Sequence, residues 1–315
     1  MKQTQTNIIH PAAYFMLILF LTALSCSSTT SKNNPDSSGD TGNKSFFGYN
    51  LTSPDKTIIL PAVLQEISGV TIIDTSLVAC VQDEHGIIFI YDIHRNELSG
   101  QISFHGNGDY EDIARTSEAI FILRSDGKLY EVTNLKSSEI AKEMTLERLK
   151  ENDNEGLCFD RKNNRLLVAH KDKPKKDTGI EDMGVVYGFD LEKRELLKNP
   201  VISFNLSGLQ KFAADNKVFP EEKDKKGDGD KHEVRFSPSA LAVHPVTGRL
   251  FVLSADEYLL YVFNINGTIE HMVRLNHKIF NMAEGIAFFE NGDMLISNEG
   301  KNKVPTLLRF NYSPD

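Results

Sequence analysis

After about residue 56 the chain is built from short runs in which apolar and polar positions alternate. A period of two marks strands with one buried face. The runs come in groups of four. In one group Ser239 to Val243 is followed by a turn at His244-Pro245-Val246-Thr247-Gly248, then Arg249 to Ser254, Tyr258 to Ile265, a turn at Asn266-Gly267, and Ile269 to Leu275. Asn-Gly between alternating runs is a good hairpin signal, because both residues tolerate positive φ. Gly69 to Ile73, Ser76 to Val81, Ile87 to Ile93 and Leu98 to Phe104 form a matching group. Another begins at Ile113 and continues through Ala119 to Leu123 and Lys128 to Val132, with a less regular last stretch. A third runs Gly156 to Phe159, Arg165 to Ala169, Val185 to Leu191 and Val201 to Leu206. The fifth holds Gly285 to Phe289, Met294 to Ser297 and Thr306 to Tyr312, and lacks an outermost strand.

Each group opens on the same short motif: a small or acidic residue, usually glycine, then apolar alternation. The motifs are Ser68-Gly69-Val70, Glu111-Asp112-Ile113, Glu155-Gly156-Leu157, Ser239-Ala240-Leu241 and Glu284-Gly285-Ile286. Their middle residues are 43, 44, 84 and 45 positions apart. Repeats of this length point to a propeller or a solenoid. The lone strand Lys56 to Leu60 precedes the first group and can pair at the edge of the last, which closes a ring and removes a sheet edge. The expected fold is all-β, a five-bladed β-propeller of four-stranded blades closed by an N-terminal strand. Six blades is the alternative, because 84 is close to two repeats. Residues 208–233 show no strand alternation, however. They hold a short helix pattern (Leu209 to Asn216) and a charged run, and fit an insertion better.

The motifs EISG, EDIA, NEGLCF, SALAVHP and AEGIAF, together with VYGFDL and FVLSADEYLLYVF, resemble the SdiA-regulated domain family of bacterial envelope proteins. The resemblance covers about Lys56 to Tyr312. It implies a β-propeller and supplies no established reaction, so function rests on the residues.

The amino terminus changes the picture. Lys2 precedes an apolar run from Ala12 to Leu24, about thirteen residues long, which suits a signal-peptide core and is short for a membrane span. The run ends in Ala23-Leu24-Ser25-Cys26, which resembles a bacterial lipobox. That resemblance implies cleavage before Cys26 and acylation of the new terminus with palmitate-type chains. Residues 1–25 then form a lipoprotein signal peptide, 26–45 a Ser/Thr/Asn/Gly-rich flexible tether, and 46–315 the propeller. The expected location is the cell envelope, lipid-anchored to the membrane and facing the periplasm. Three cysteines are too few for a disulfide scaffold; Cys80 and Cys158 sit in apolar strands of different blades and read as buried thiols. A formal charge of -9 argues against a nucleic-acid partner. A monomer is expected.

Candidate chemistry gathers on one face. In a blade, the loop into the first strand and the loop joining the second strand to the third share a side. Glu111, Glu155 and Glu284 occupy equivalent positions at the channel mouth, and the first group offers Glu66 two residues before its serine. Clustered carboxylates need a cation, raised pKa values or separation. All-oxygen ligands suit a hard cation, Ca²⁺ above Mg²⁺. The competing reading has each Glu stitching neighbouring blades through backbone hydrogen bonds. A second polar set ends each second strand: Asp83 and Glu84, Ser125 and Asp126, His170, Lys171 and Asp172, Asp256 and Glu257, Asn298 and Glu299. Turn residues commonly have this composition for local reasons, and the alternative is a ligand-facing ring. The insertion lysines (Lys171, Lys173, Lys175, Lys176, Lys223, Lys225, Lys226) border the same side. The expected function is binding of a small ligand or an envelope protein at the channel face, around Ca²⁺. The alternative is a Ca²⁺-dependent phosphoesterase or nucleotidase-like hydrolase.

Overall fold

A computed structural model describes residues 46–135, 141–150, 153–171, 183–219 and 234–314. Cys26, the signal and tether segments, Asp172 and the other insertion lysines apart from Lys171 lie outside the described residues.

Five antiparallel sheets form the five blades of a β-propeller. Their innermost strands are Ile67–Ile72, Tyr110–Arg115, Asn154–Asp160, Ala240–Val243 and Ala283–Phe288. Each innermost strand packs on the next, and the fifth packs on the first. The fifth blade takes its outer strand from the start of the fold: Lys56–Ile59 pairs antiparallel with Thr306–Phe310, Lys56 opposite Arg309 and Ile59 opposite Thr306. The ring is thus closed by the strand whose sequence stands apart from the repeats. The 84-residue gap holds no sixth sheet among the described residues. Blade three instead has a divided outer strand, Glu195–Leu196 and Ile202–Asn205, both paired with Met183–Asp190. A helix, Leu206–Asp215, follows directly, with the Asn205 side chain capping the Gly208 N–H at 3.1 Å. It buries Leu209 and Ala213 against blades three and four.

Apolar side chains fill each gap between blades as a separate cluster, so the core is five wedges around an axis. The repeated motif fits this geometry. A Cβ on Gly69 would lie 2.8 Å from the Asp112 Cα, and one on Gly156 would lie 2.8 Å from Leu241 Cγ. Glycine is required there because adjacent innermost strands approach nearly backbone to backbone. Cys80 and Cys158 are buried free thiols, as their apolar strands predict. Phe46 to Tyr49 pack against blades four and five, with the Tyr49 hydroxyl donating to Gly292 O at 2.6 Å. Among the described residues no helix is long and apolar enough to cross a membrane.

Candidate functional site

Four innermost strands carry a register shift at their first residues, between Ile67 and Gly69, Tyr110 and Asp112, Asn154 and Gly156, and Ala283 and Gly285. A β-bulge leaves one residue unpaired and re-aims its side chain. The bulged residues are Ser68, Glu111, Glu155 and Glu284. The irregularity therefore falls on the motif position that sequence reading singles out. Blade four lacks the bulge, and Ser239 holds the equivalent place just before its strand.

Ser and Asp do the stitching between blades that the sequence also allowed for Glu. Ser68 Oγ donates to Tyr110 O at 2.7 Å, and Ser239 Oγ donates to Ala283 O at 2.9 Å. Asp112 accepts from the Leu157 N–H at 2.7 Å and from the Ile113 N–H at 2.8 Å. Asp112 is 2% exposed, and burial holds its carboxyl pKa well above the usual range despite these donors. The Leu241 N–H of blade four also favours its charged form. Asp112 thus sits between three blades, below the mouth of the channel.

Glu111 and Glu155 face each other at the mouth together with Asp153; one ligand oxygen from each lies within 4.8 Å of the others. Burial raises both glutamates; Glu155 and Asp109 raise Glu111 further, while Lys171 offsets part of the rise at Glu155 that Asp153 and Asp109 add to. Glu284 is pushed up to about 8, first by burial and then by Glu155. Lys171 Nζ answers part of this charge, 3.3 Å from Glu155 Oε1 and 3.4 Å from Asp256 Oδ2. Burial alone would lower the lysine, but Glu155 and Asp256 hold it firmly protonated. It ties blade three to blade four.

Glu66 lies elsewhere on the rim. It belongs with Asp83 and Glu299, on the side where blades five and one meet. Asp83 is pushed up to about 6 by burial and then by Glu66, and burial also raises Glu299. Of the four glutamates expected to converge, only Glu111 and Glu155 share a ligand group with Asp153; Glu284 feels both Glu155 and Glu299 and so links that group to the side of the rim that holds Glu66. Several residues of the second polar set are occupied. Glu257 accepts from the Arg235 and Ser237 N–H groups at 2.8 and 3.0 Å, and holds the chain leading into blade four. Asn298 donates to Ile279 O and Thr306 Oγ1. His170 is buried, its ring 6.3 Å from that of Tyr187. Glu84 is exposed and lies 3.8 Å from His85, and Asp126 pairs with Arg124 at 2.5 Å.

Sequence reading missed Asp109 and Asp153. Asp109 raises Glu111, and its Oδ2 accepts from Ser125 Oγ at 2.7 Å. The signal was present. Glu66, Asp109 and Asp153 each stand two residues before a bulged position, and their backbone carbonyls accept from Asp83, Ser125 and Lys171 in the same way.

The family profile described as SdiA-regulated matches residues 48–303. The chain belongs to the SdiA-regulated family. A search of curated proteins returns no match. Among solved structures, this SdiA-regulated propeller is similar to the glutaminyl cyclase of Myxococcus xanthus, with a TM-score of 0.55 and 11% identity over 82% of this chain and 95% of that one. It also aligns with a structural genomics protein of unknown function from Bacteroides thetaiotaomicron, with a TM-score of 0.46 and 11% identity over 74% of this chain and 52% of that one. At such identities the likeness to the cyclase shows the fold alone.

Proposed function

We propose that this SdiA-regulated protein is a lipid-anchored envelope propeller that binds a ligand at its acidic channel mouth through a hard divalent cation. The observation that carries the reading is the group of three oxygen ligands on Glu111, Asp153 and Glu155. Carboxylates held this close repel unless protonated or bridged by a cation. With neither histidine nor cysteine among them, the donors suit Ca²⁺. Three side chains leave most of a six- to eight-oxygen shell open, which is where ligand oxygens or water would bind. Anchoring rests on the Cys26 pattern, and the tether places the propeller beside the membrane at the periplasmic side. The hydrolase reading needs a cation free to hold phosphate, and Lys171 at this mouth is already paired with Glu155 and Asp256.

Equilibrium dialysis with ⁴⁵Ca²⁺ tests the metal. One ion per chain is expected, lost in a Glu155→Gln/Asp153→Asn double variant. Chelation should lower the melting temperature of the wild type and leave that of the double variant unchanged. No bound ion at millimolar Ca²⁺ would overturn the metal reading. For the anchor, Cys26→Ser should abolish incorporation of labelled palmitate and move the protein out of the membrane fraction.

A further inference from the structure

The channel has a second end, and its chemistry is the opposite of the first. Two residues past each bulged position the five strands present Val70, Ile113, Leu157, Leu241 and Ile286. Two further on they present Ile72, Arg115, Phe159, Val243 and Phe288. Both rings line one open cavity of about 1320 Å³. That is larger than the roughly 300–1,000 Å³ of common small-molecule pockets. The second ring is apolar in four blades. The fifth residue, Arg115, is exposed, and its side chain makes no ion pair or hydrogen bond among the described residues.

The turns around this end add charge of the same sign. Arg161, Lys162, Arg249 and Arg309 line the cavity with Arg115, against the carboxylates Asp74, Asp160 and Glu290. Several of these are committed. Arg309 holds Asp293 at 2.6 Å, Arg249 holds Glu270 at 2.9 Å, and Asp160 holds Arg165 at 2.8 Å. Arg161 reaches from blade three to Glu290 of blade five at 2.7 Å, skipping blade four. Among the described residues Arg115 and Lys162 form no ion pair, although the Arg115 charge still reaches Glu290 and helps hold its carboxyl low. On an acidic chain this is a local excess of cations over an apolar hollow. The buried Asp112 carboxyl lies between this hollow and the acidic mouth.

We propose that the hollow is a binding site for a single-chain amphiphile bearing one anionic group, a carboxylate or phosphate. The aliphatic body lies along Ile72, Phe159, Val243 and Phe288, and the anion pairs with Arg115 and Lys162. An apolar wall alone would accept any hydrophobe. The lone arginine in the apolar ring makes the site selective for charge sign, because a cationic head placed beside it is repelled and a neutral head leaves it unpaired. This site is independent of the metal reading, since none of the residues at the acidic mouth takes part.

The test uses the purified propeller with dodecanoate, dodecyl phosphate, dodecyl trimethylammonium and dodecyl maltoside, each below its micelle concentration, displacing a fluorescent fatty acid. Both anions should displace the probe, and the cationic and neutral amphiphiles should be at least about tenfold weaker. Arg115→Leu should weaken the anions about tenfold or more and leave dodecyl maltoside unchanged. Its exposed side chain makes the substitution compatible with folding, which the melting curve verifies. Val243→Trp should weaken every amphiphile by filling the hollow. Equal displacement by all four head groups, no displacement by any, or anion affinity indifferent to Arg115 would each overturn the proposal. Binding to phosphatidylglycerol vesicles without binding of the monomeric anions would overturn it as well.

Discussion

Glu284→Gln isolates the electrostatic strain of the acidic mouth. The substitution keeps shape and hydrogen-bonding capacity and removes the ability to ionise. In the folded protein the Glu284 carboxyl is pushed up to about 8, against 4.5 as its ordinary value. Between those two pH values the native state retains a proton that the unfolded chain has released. Stability therefore falls as pH rises from 4.5 to 8, and the loss is complete above 8. Each tenfold difference in proton affinity is about 1.4 kcal/mol, so the full loss is on the order of 5 kcal/mol. The glutamine variant should match the wild type at pH 4.5 and exceed it by roughly that amount at pH 9, with chelator present. For a domain of this size the gain corresponds to about 10–20 °C in melting temperature. Thermal and urea unfolding at pH 4.5, 7 and 9 read it directly. A difference independent of pH, or a variant less stable than the wild type at pH 9, would refute the reasoning. Added Ca²⁺ should narrow the gap at pH 9, because a bound cation relieves the same repulsion.

Other substitutions probe the ring itself. Ile58, in the closing strand, is 2% exposed; Ile58→Asp should destabilise by about 3 kcal/mol or more in urea unfolding, because it buries an unpaired charge. Gly69→Ala should cost about 1–3 kcal/mol by forcing the first two innermost strands apart, whereas Gly106→Ala, with open space around it, should unfold at nearly the wild-type urea concentration. Burial pushes the Cys80 thiol up to about 12, so at pH 8 maleimide should label it only as fast as the protein unfolds; rapid labelling of native protein would contradict its placement in the core.

Blade count and closure were legible because they rest on alternation, turn residues and spacing, which are local. Lys56 to Leu60 stands outside the repeats, and pairing with the last blade is what a closed ring requires of it. The site was legible only in part. The motif glutamates stand out because each interrupts an apolar run, yet the sequence does not show which neighbour each will meet. Approximate symmetry groups Glu66 with Glu111 and Glu155, while in the structure Glu66 acts on Asp83 and Glu299. Asp109 and Asp153 look like ordinary residues before a strand. The hollow at the far end is hidden in the sequence for a different reason. Ile72, Phe159, Val243 and Phe288 read as core, because side chains that line a cavity and side chains that fill a core obey the same alternation. Arg115 was the mark, a charge at a position that is apolar in the other four blades.

The pairing of Lys56–Ile59 with Thr306–Phe310 also bears on how the molecule is made. The fifth blade needs both ends of the fold, so the ring cannot close until its final strand has been synthesised. A chain still emerging from the ribosome has at most four blades and an open edge. The last strand to be made is therefore the one that locks the fold, and until it arrives the chain stays open and easily unfolded.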